Sequence, residues 1–521
     1  MKKPVILTAL VGFLGGLAVL GQTQPGPAVT ADFKAFNERK DQLVAAGVRI
    51  FGPNATVAQD LEPEYIAVSP NSRTAYVTLQ ENNALAVVDI QAGRVTSVVP
   101  LGFKDHSRPG SGLDVNDRDN QANIAPATVL GMYQPDAIAY VSFGAQGFLI
   151  TANEGDARAY PGFNEEARVA DLQLDPGRFN AEGRTALARL QVTRTLGQSG
   201  STYSALYAFG SRSISVWSTA GQLVWDSGDL LERTVLARNP LQFNANHSAN
   251  ARDGRSAAKG PEPEGVVVGK IGGRTYAFLG LERQSAILSF DVTIPRAPVL
   301  RDYAINRNFA QAIDANNYVD NGDLGPEGLA FVPAAESPNG QPLLIVGNEI
   351  SGSTAFWQVS SEGRLALLGR HVFAENGRPV FNRGAAEIPA YDARSKRVFV
   401  VNGHTRSIDI LDAANPAQPR LIRSVSFRER GAPNSVAVRD GLVAVALEAP
   451  VKTDPGSVVF MDAEGTVRAS VPVGALPDML TFTPDGRYVL TANEGEPSDD
   501  YRTDPEGSVS IIELAKVAGL R

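Results

Sequence analysis

The chain has 521 residues, 50 of them Gly and 33 Pro, an ordinary apolar fraction of 43%, and no cysteine. Its net charge of −8 argues against nucleic acid as a partner, because that needs basic stripes. Without thiols there are no disulfides, lipobox, thiol nucleophiles or thiolate metal sites, and the acidic balance suits cations or plain solubility.

Lys2-Lys3, an apolar run over residues 5–20 and a small-residue end at Val19-Leu-Gly21 read as a signal peptide spanning 1–21; removing it takes the charge to −10. A membrane anchor is the rival reading, although the run is at the short end for spanning. With no second long apolar stretch, the expectation is an exported, soluble monomer without an integral span after signal removal. Its place would be the periplasm, the cell surface or the medium. Residues 22–46 read as a polar spacer and short helix, with Phe33, Phe36, Leu43 and Val44 at helical spacing. Residues 48–51 (Val-Arg-Ile-Phe) read as a strand opening a single domain over 47–516.

From there one pattern repeats seven times, opening near Pro63, Pro135, Pro263, Pro326, Glu387, Pro433 and Pro477. In the first unit, two apolar strands joined by a turn, Glu64-Tyr-Ile-Ala-Val and Thr74-Ala-Tyr-Val-Thr-Leu, precede Ala84-Leu-Ala-Val-Val-Asp-Ile and Arg94-Val-Thr-Ser-Val-Val. Four short strands per unit predict an all-β fold, a single seven-bladed β-propeller. Eight blades is the rival count, which makes 155–212 a blade of its own. That segment lacks an opening motif, so it reads as an insertion in blade two, whose last strands resume at Ser213 and Gln222. The final unit shows only three strands. Ring closure then falls to the N-terminal strand at 48–51, since an open edge invites aggregation. Long Asp-, Asn- and Gly-rich segments at 104–126, 243–261 and 307–325 have the length of functional or disordered loops.

In a propeller the first strand of each blade starts on the face where the second ends. The strand openers Glu64, Asp136, Glu264, Glu327, Glu387, Asn434 and Asp478 therefore converge with the closers Glu81, Glu154, Glu282, Glu349, His404, Glu448 and Glu494. Twelve of these fourteen are carboxylates. Such a ring raises pKa values unless cations or basic partners neutralise it, and Arg158, Arg283, Arg383 and Arg406 are the basic candidates. One reading is a ligand-binding face with hard oxygen ligands for calcium, other divalent metals not being excluded. The other is that each Glu merely ends a strand and accepts backbone N–H bonds. Asp114, Asn116, Asp117 and Asp119 have the alternating spacing of a calcium loop but lack its mid-loop Gly and terminal Glu, so an Asx-rich turn is the alternative. The runs 314–323 and 494–500 are weaker versions. Of the histidines only His404 sits at the rim, as a candidate base or metal ligand. No hydrolase elbow, P-loop or zinc-protease helix is present.

Leu61-Glu-Pro-Glu-Tyr-Ile-Ala-Val-Ser, Thr151-Ala-Asn-Glu-Gly-Asp-Ala-Arg158, Gly260-Pro-Glu-Pro-Glu-Gly265 and Gly347-Asn-Glu-Ile-Ser-Gly-Ser353 resemble the bacterial choice-of-anchor I family. Its members are exported β-propellers often described, by similarity, as cell-surface glycoproteins or alkaline phosphatases. The resemblance runs from about Gly47 to Leu514 and implies the propeller and export. Tyr76-Val-Thr is similar to the strand motif of surface-layer-type propeller repeats. Three functions follow as expectations. The first is a non-catalytic, calcium-stabilised propeller binding a small-molecule or envelope ligand through its acidic face. The second is a divalent-metal-dependent phosphoesterase of alkaline-phosphatase or phytase type, with Glu154, Glu264, Glu327, Glu349 and Glu494 as ligands and Arg158 or Arg283 on the phosphate. The third is a structural role in the envelope.

Overall fold

The computed structural model describes residues 27–520 apart from Asn317, so the predicted signal peptide lies outside the described residues. Short segments rich in Val, Ile, Leu and Phe pair into seven four-stranded antiparallel sheets, at 63–100, 138–226, 263–305, 326–372, 389–426, 432–475, and 477–513 together with Ala28–Asp32. The first strands of successive sheets neighbour one another, and Pro477–Phe482 of the last lies beside Pro63–Val68 of the first.

The strands read as nearly unbroken apolar runs because both faces of each sheet are covered. In Leu442–Glu448, Val443, Val445 and Leu447 pack with Phe399 and Ile410 of the preceding sheet. Ala444 and Ala446 pack with Leu480 and Val489 of the following one. A side-chain period of two thus feeds two neighbouring cores. Phe356, Phe399 and Phe460 are fully buried there, each contributing about 1.5–3 kcal/mol by leaving water.

The second sheet joins Gln146–Asn153 to Ser213–Ser218, with Asn153 opposite Ser213, as the insertion reading requires. Residues 155–212 form no four-stranded sheet of that kind. Glu166–Arg168, Gln191–Thr193 and Tyr207–Ala208 extend a five-stranded sheet with Leu130–Met132 and Phe103–Asp105. Its core of Leu113, Val169, Phe179, Leu187, Leu190 and Val192 makes the insertion and the first long loop one packed layer.

The fourth strand of the last sheet is not where the sequence put it. Ala28–Asp32, inside the expected spacer, pairs with the last strand from Ala28 opposite Ile512 to Asp32 opposite Ser508, so the domain starts before residue 47. The helical patch is present, as a 3-10 turn over Lys34–Arg39 and an α-helix over Lys40–Ala46. Residues 48–51 form no strand: Arg49 donates its backbone N–H to Asn82, and the Phe51 ring lies between the guanidinium groups of Arg49 and Arg158, at 4.0 and 4.5 Å. Anchoring by side chains replaced ladder bonds there. A short edge strand with two exposed residues carries too little periodicity to be found in sequence.

Candidate functional site

In four of the units, those at Pro63, Pro263, Pro326 and Pro477, the opening Pro begins its strand, where a missing N–H costs no ladder bond. Immediately after it the register slips, between Pro63 and Ile66, Pro263 and Val266, Pro326 and Leu329, and Pro477 and Leu480. Such bulges re-aim side chains, and here they turn the opener toward the axis. Gly265 and Gly328 let adjacent inner strands approach closely, since a Cβ on Gly265 would lie 2.1 Å from the Glu327 carbonyl oxygen. Glu64, Asp136, Glu264, Glu327, Asn434 and Asp478 accordingly line one cavity of about 310 Å³, with Ile388, the neighbour of Glu387, in its wall. These side chains are half-buried, and the surface they keep faces the cavity.

Among the closers, register corrects two assignments. Pro63 pairs with Leu79, Pro263 with Leu281, Pro326 with Asn348 and Pro477 with Asn493. The residues that follow are Gln80, Glu282, Glu349 and Glu494. The position expected for Glu81 is therefore held by Gln80, which lines the cavity and donates to Glu154 at 2.9 Å. After Asn402 the equivalent residue is Gly403, so His404 is one place too far and lies instead in a second cleft beside Glu375, at 3.6 Å. A one-residue shift changes the face a side chain takes, and the turn lengths hid it. Glu154 and Glu282 reach the cavity, while Glu448 stands near Asn434 and Arg406 at its edge.

The ring is asymmetric in charge. On one side Lys259 Nζ lies 2.8 Å from Glu154 and 3.3 Å from Glu262, and Arg283 reaches Glu262 at 2.9 Å and Glu282 at 3.0 Å. Burial alone would raise the Glu262 carboxyl, but Lys259, Arg255 and Arg283 hold it well below the usual carboxylate range. His247 Nδ1 meets Glu282 at 2.7 Å, and His247, Glu282 and Glu349 each offer one ligand atom within 4.8 Å of the others. On the opposite side Glu64, Asp478 and Glu494 bring one oxygen each within the same 4.8 Å, and the groups acting most strongly on them are other carboxylates. One carboxylate oxygen on each of Glu264 and Glu327 is buried without a hydrogen-bond partner.

Burial first, then neighbouring carboxylates, push Glu64, Asp136, Glu264, Glu327, Glu387 and Glu494 well above the usual range. The same causes bring Asp478 to about 7, whereas Lys259 partly offsets the rise at Glu154, also to about 7. Glu349 reaches about 8 through burial and Glu282. Glu81, just behind the rim, is lifted to about 7 by burial against the pull of Arg158. Free Asp and Glu titrate near about 4, so these groups stabilise the fold fully below about pH 4. That contribution fades as the pH climbs through their raised values. In chelator, the melting temperature should fall steadily between about pH 5 and about pH 8.5. A flat profile in a differential scanning fluorimetry series would contradict the crowding described here.

Other expected site residues are placed elsewhere. Arg158 does not face the cavity; it is buried against Asp60 at 2.6 Å and Glu62 at 3.1 Å. The proposed calcium loop is tied up locally: Asp114 accepts the N–H groups of Asn116 and Asn123, at 3.1 and 2.9 Å. Asp117 grips Arg189 with both oxygens, and Asn116 donates to Asp119 at 3.2 Å. Those oxygens serve turns and an ion pair, the Asx-turn alternative. Asp323 similarly pairs with Arg370 at 3.3 Å and Glu496 with Lys452 at 2.8 Å. Sequence reasoning missed Gln80, Lys259, Glu262 and His247. The Lys259-Gly-Pro-Glu262-Pro-Glu264 run was the one available signal for two of them.

The sequence model of the choice-of-anchor I domain matches residues 15–295 and 387–519. Gigasin-3a of Magallana gigas is 30% identical over 186 residues, covering 33% of this chain and 64% of that protein. The mesenchyme-specific cell surface glycoprotein of Strongylocentrotus purpuratus is 28% identical over 307 residues, 51% of this chain and 39% of that protein. The chain thus spans less than two thirds of either relative. Among solved structures, the WD40 repeats of RRP9 superpose with a TM-score of 0.44 at 10% identity, covering 93% of this chain and 99% of that one. Hydrazine synthase of Kuenenia stuttgartiensis gives 0.46 at 14%, covering 90% and 99%. The family match extends over most of the described sheets and over the opening motifs of the acidic cavity other than the one at Pro326, and the chain belongs to the choice-of-anchor I domain family.

Proposed function

We propose that the seven sheets form one seven-bladed propeller, with residues 155–212 inserted in blade two and Ala28–Asp32 completing the last blade. The protein works outside the cytoplasm, its leader at 1–21 directing export. The acidic cavity takes up calcium and, through it, a small-molecule or cell-envelope partner. The observation that carries this reading is the convergence of Glu64, Asp478 and Glu494 on one point, none of the three in an ion pair with a base among the described residues. Charged carboxylates so close repel, and a divalent cation removes that repulsion while using hard oxygen ligands. The surface location of the sea-urchin relative supports export, and among the described residues no helix is long and apolar enough to cross a membrane. The phosphoesterase alternative finds less support, because Arg158, one of its two phosphate contacts, is committed to Asp60 and Glu62.

Isothermal titration of calcium into chelator-treated, dialysed protein at about pH 8 should give saturable binding. Calcium should not switch on phosphate-ester hydrolysis. Absence of binding by calcium, magnesium and manganese alike would sink the proposal.

A further inference from the structure

A second cleft, of about 830 Å³, is lined by Asn316, Tyr318 and Val319, by residues 378–383 and by His404. It is large enough for a ligand of several rings and far too large for a single ion. Its charge is opposite to that of the channel. Arg378 and Arg383 both line it, both are exposed, and neither has an ion-pair partner among the described residues. In a chain with a net charge of −8, two unpaired guanidinium groups on one cleft are a local exception. The one carboxylate in the wall, Glu375, is turned to His404 at 3.6 Å. Tyr318 and Phe381 stand with ring centroids 4.8 Å apart and planes 30° apart, giving the cleft an aromatic wall beside the side-chain amides of Asn316 and Asn382.

We propose that this cleft binds an acidic oligosaccharide. Arginine forks match carboxylates in bidentate geometry. The aromatic wall offers apolar surface to the C–H face of a sugar ring while its edges stay polar, and the amides can both donate to and accept from hydroxyls. This site is separate from the cation-binding channel, and the two share only a thin wall. A Cβ on Gly384 would lie 2.1 Å from Glu387 Oε1, so Gly384, next to Arg383, packs directly on an opener of the ring.

The test is calorimetric titration of trigalacturonate into the full chain in chelator, with neutral cellotriose and triglutamate as comparison probes. Trigalacturonate should bind, and an Arg378→Ala/Arg383→Ala variant should bind it at least tenfold more weakly. A Glu64→Gln variant should bind as the unaltered protein does. Both arginines are exposed, so the double variant keeps its fold. Four outcomes overturn the proposal: no trigalacturonate binding up to millimolar concentration, equal binding of cellotriose, equal binding of triglutamate, or full affinity in the double variant. Binding that persists in chelator holds whether or not the channel takes calcium, so the two readings fail separately.

Discussion

Replacing Arg158 with Met should lower the unfolding free energy by about 3–5 kcal/mol, the usual cost of leaving a buried charge without its partner. Arg158 holds Asp60 Oδ1 at 2.6 Å, Glu62 Oε2 at 3.1 Å and the Asp60 carbonyl oxygen at 2.8 Å. All three side chains are nearly inaccessible to water. Asp60 in turn accepts the N–H groups of Phe51 and Gly52, at 2.9 and 2.6 Å. Arg158 is therefore the clasp between the N-terminal segment and residues 155–212, reinforced nearby by the Arg49–Glu165 pair. Without it, Glu62, already pushed up by burial and by Glu81 and Glu496, has no counter-charge. Urea unfolding of Arg158→Met, compared with Arg158→Met/Asp60→Asn/Glu62→Gln, measures this. The triple variant should recover much of the loss, because removing both partners of a buried pair costs less than removing one. A loss under about 1 kcal/mol in the single variant would mean that the clasp is redundant.

The Glu64→Gln/Asp478→Asn/Glu494→Gln variant should be more stable than the unaltered protein in chelator at about pH 8, and should no longer respond to calcium. The three amides keep the side-chain shapes but abolish the repulsion among groups that bring their oxygens within 4.8 Å of one another. For the unaltered protein, calcium at a hundredfold excess over Kd should add about 2.7 kcal/mol of stability by mass action. Thermal unfolding of both proteins, each with chelator and with calcium, gives the four values needed. Calcium stabilisation undiminished in the variant would place the ion elsewhere on the molecule.

The contrast between Glu64 and Glu81 shows how far the sequence reached. Glu64 follows a Pro at the start of an apolar run, and that local signal carried the strand, while the bulge that aims the side chain came with the structure. Glu81 differs from its neighbour Gln80 only in register against a strand 16 residues earlier, from Leu79 to Pro63, and the local pattern holds no record of that. The same holds for the cations: Lys259 neutralises Glu154 across 105 residues and Arg49 meets Glu165 across 116. The calcium-like spacing at 114–119 was real as a pattern, yet Arg189, 72 residues away, claimed Asp117.

By itself, then, the sequence determined the repeated strand pairs, their Pro-Glu openings and the family, because apolar alternation and turn residues act over a few neighbours. The choice of Ala28–Asp32 as the fourth strand of the last sheet, the sidedness of charge around the cavity and the basic cleft at Arg378 and Arg383 were decided only by the tertiary structure. Each depends on which distant segments meet, and a charge finds its partner through space rather than along the chain.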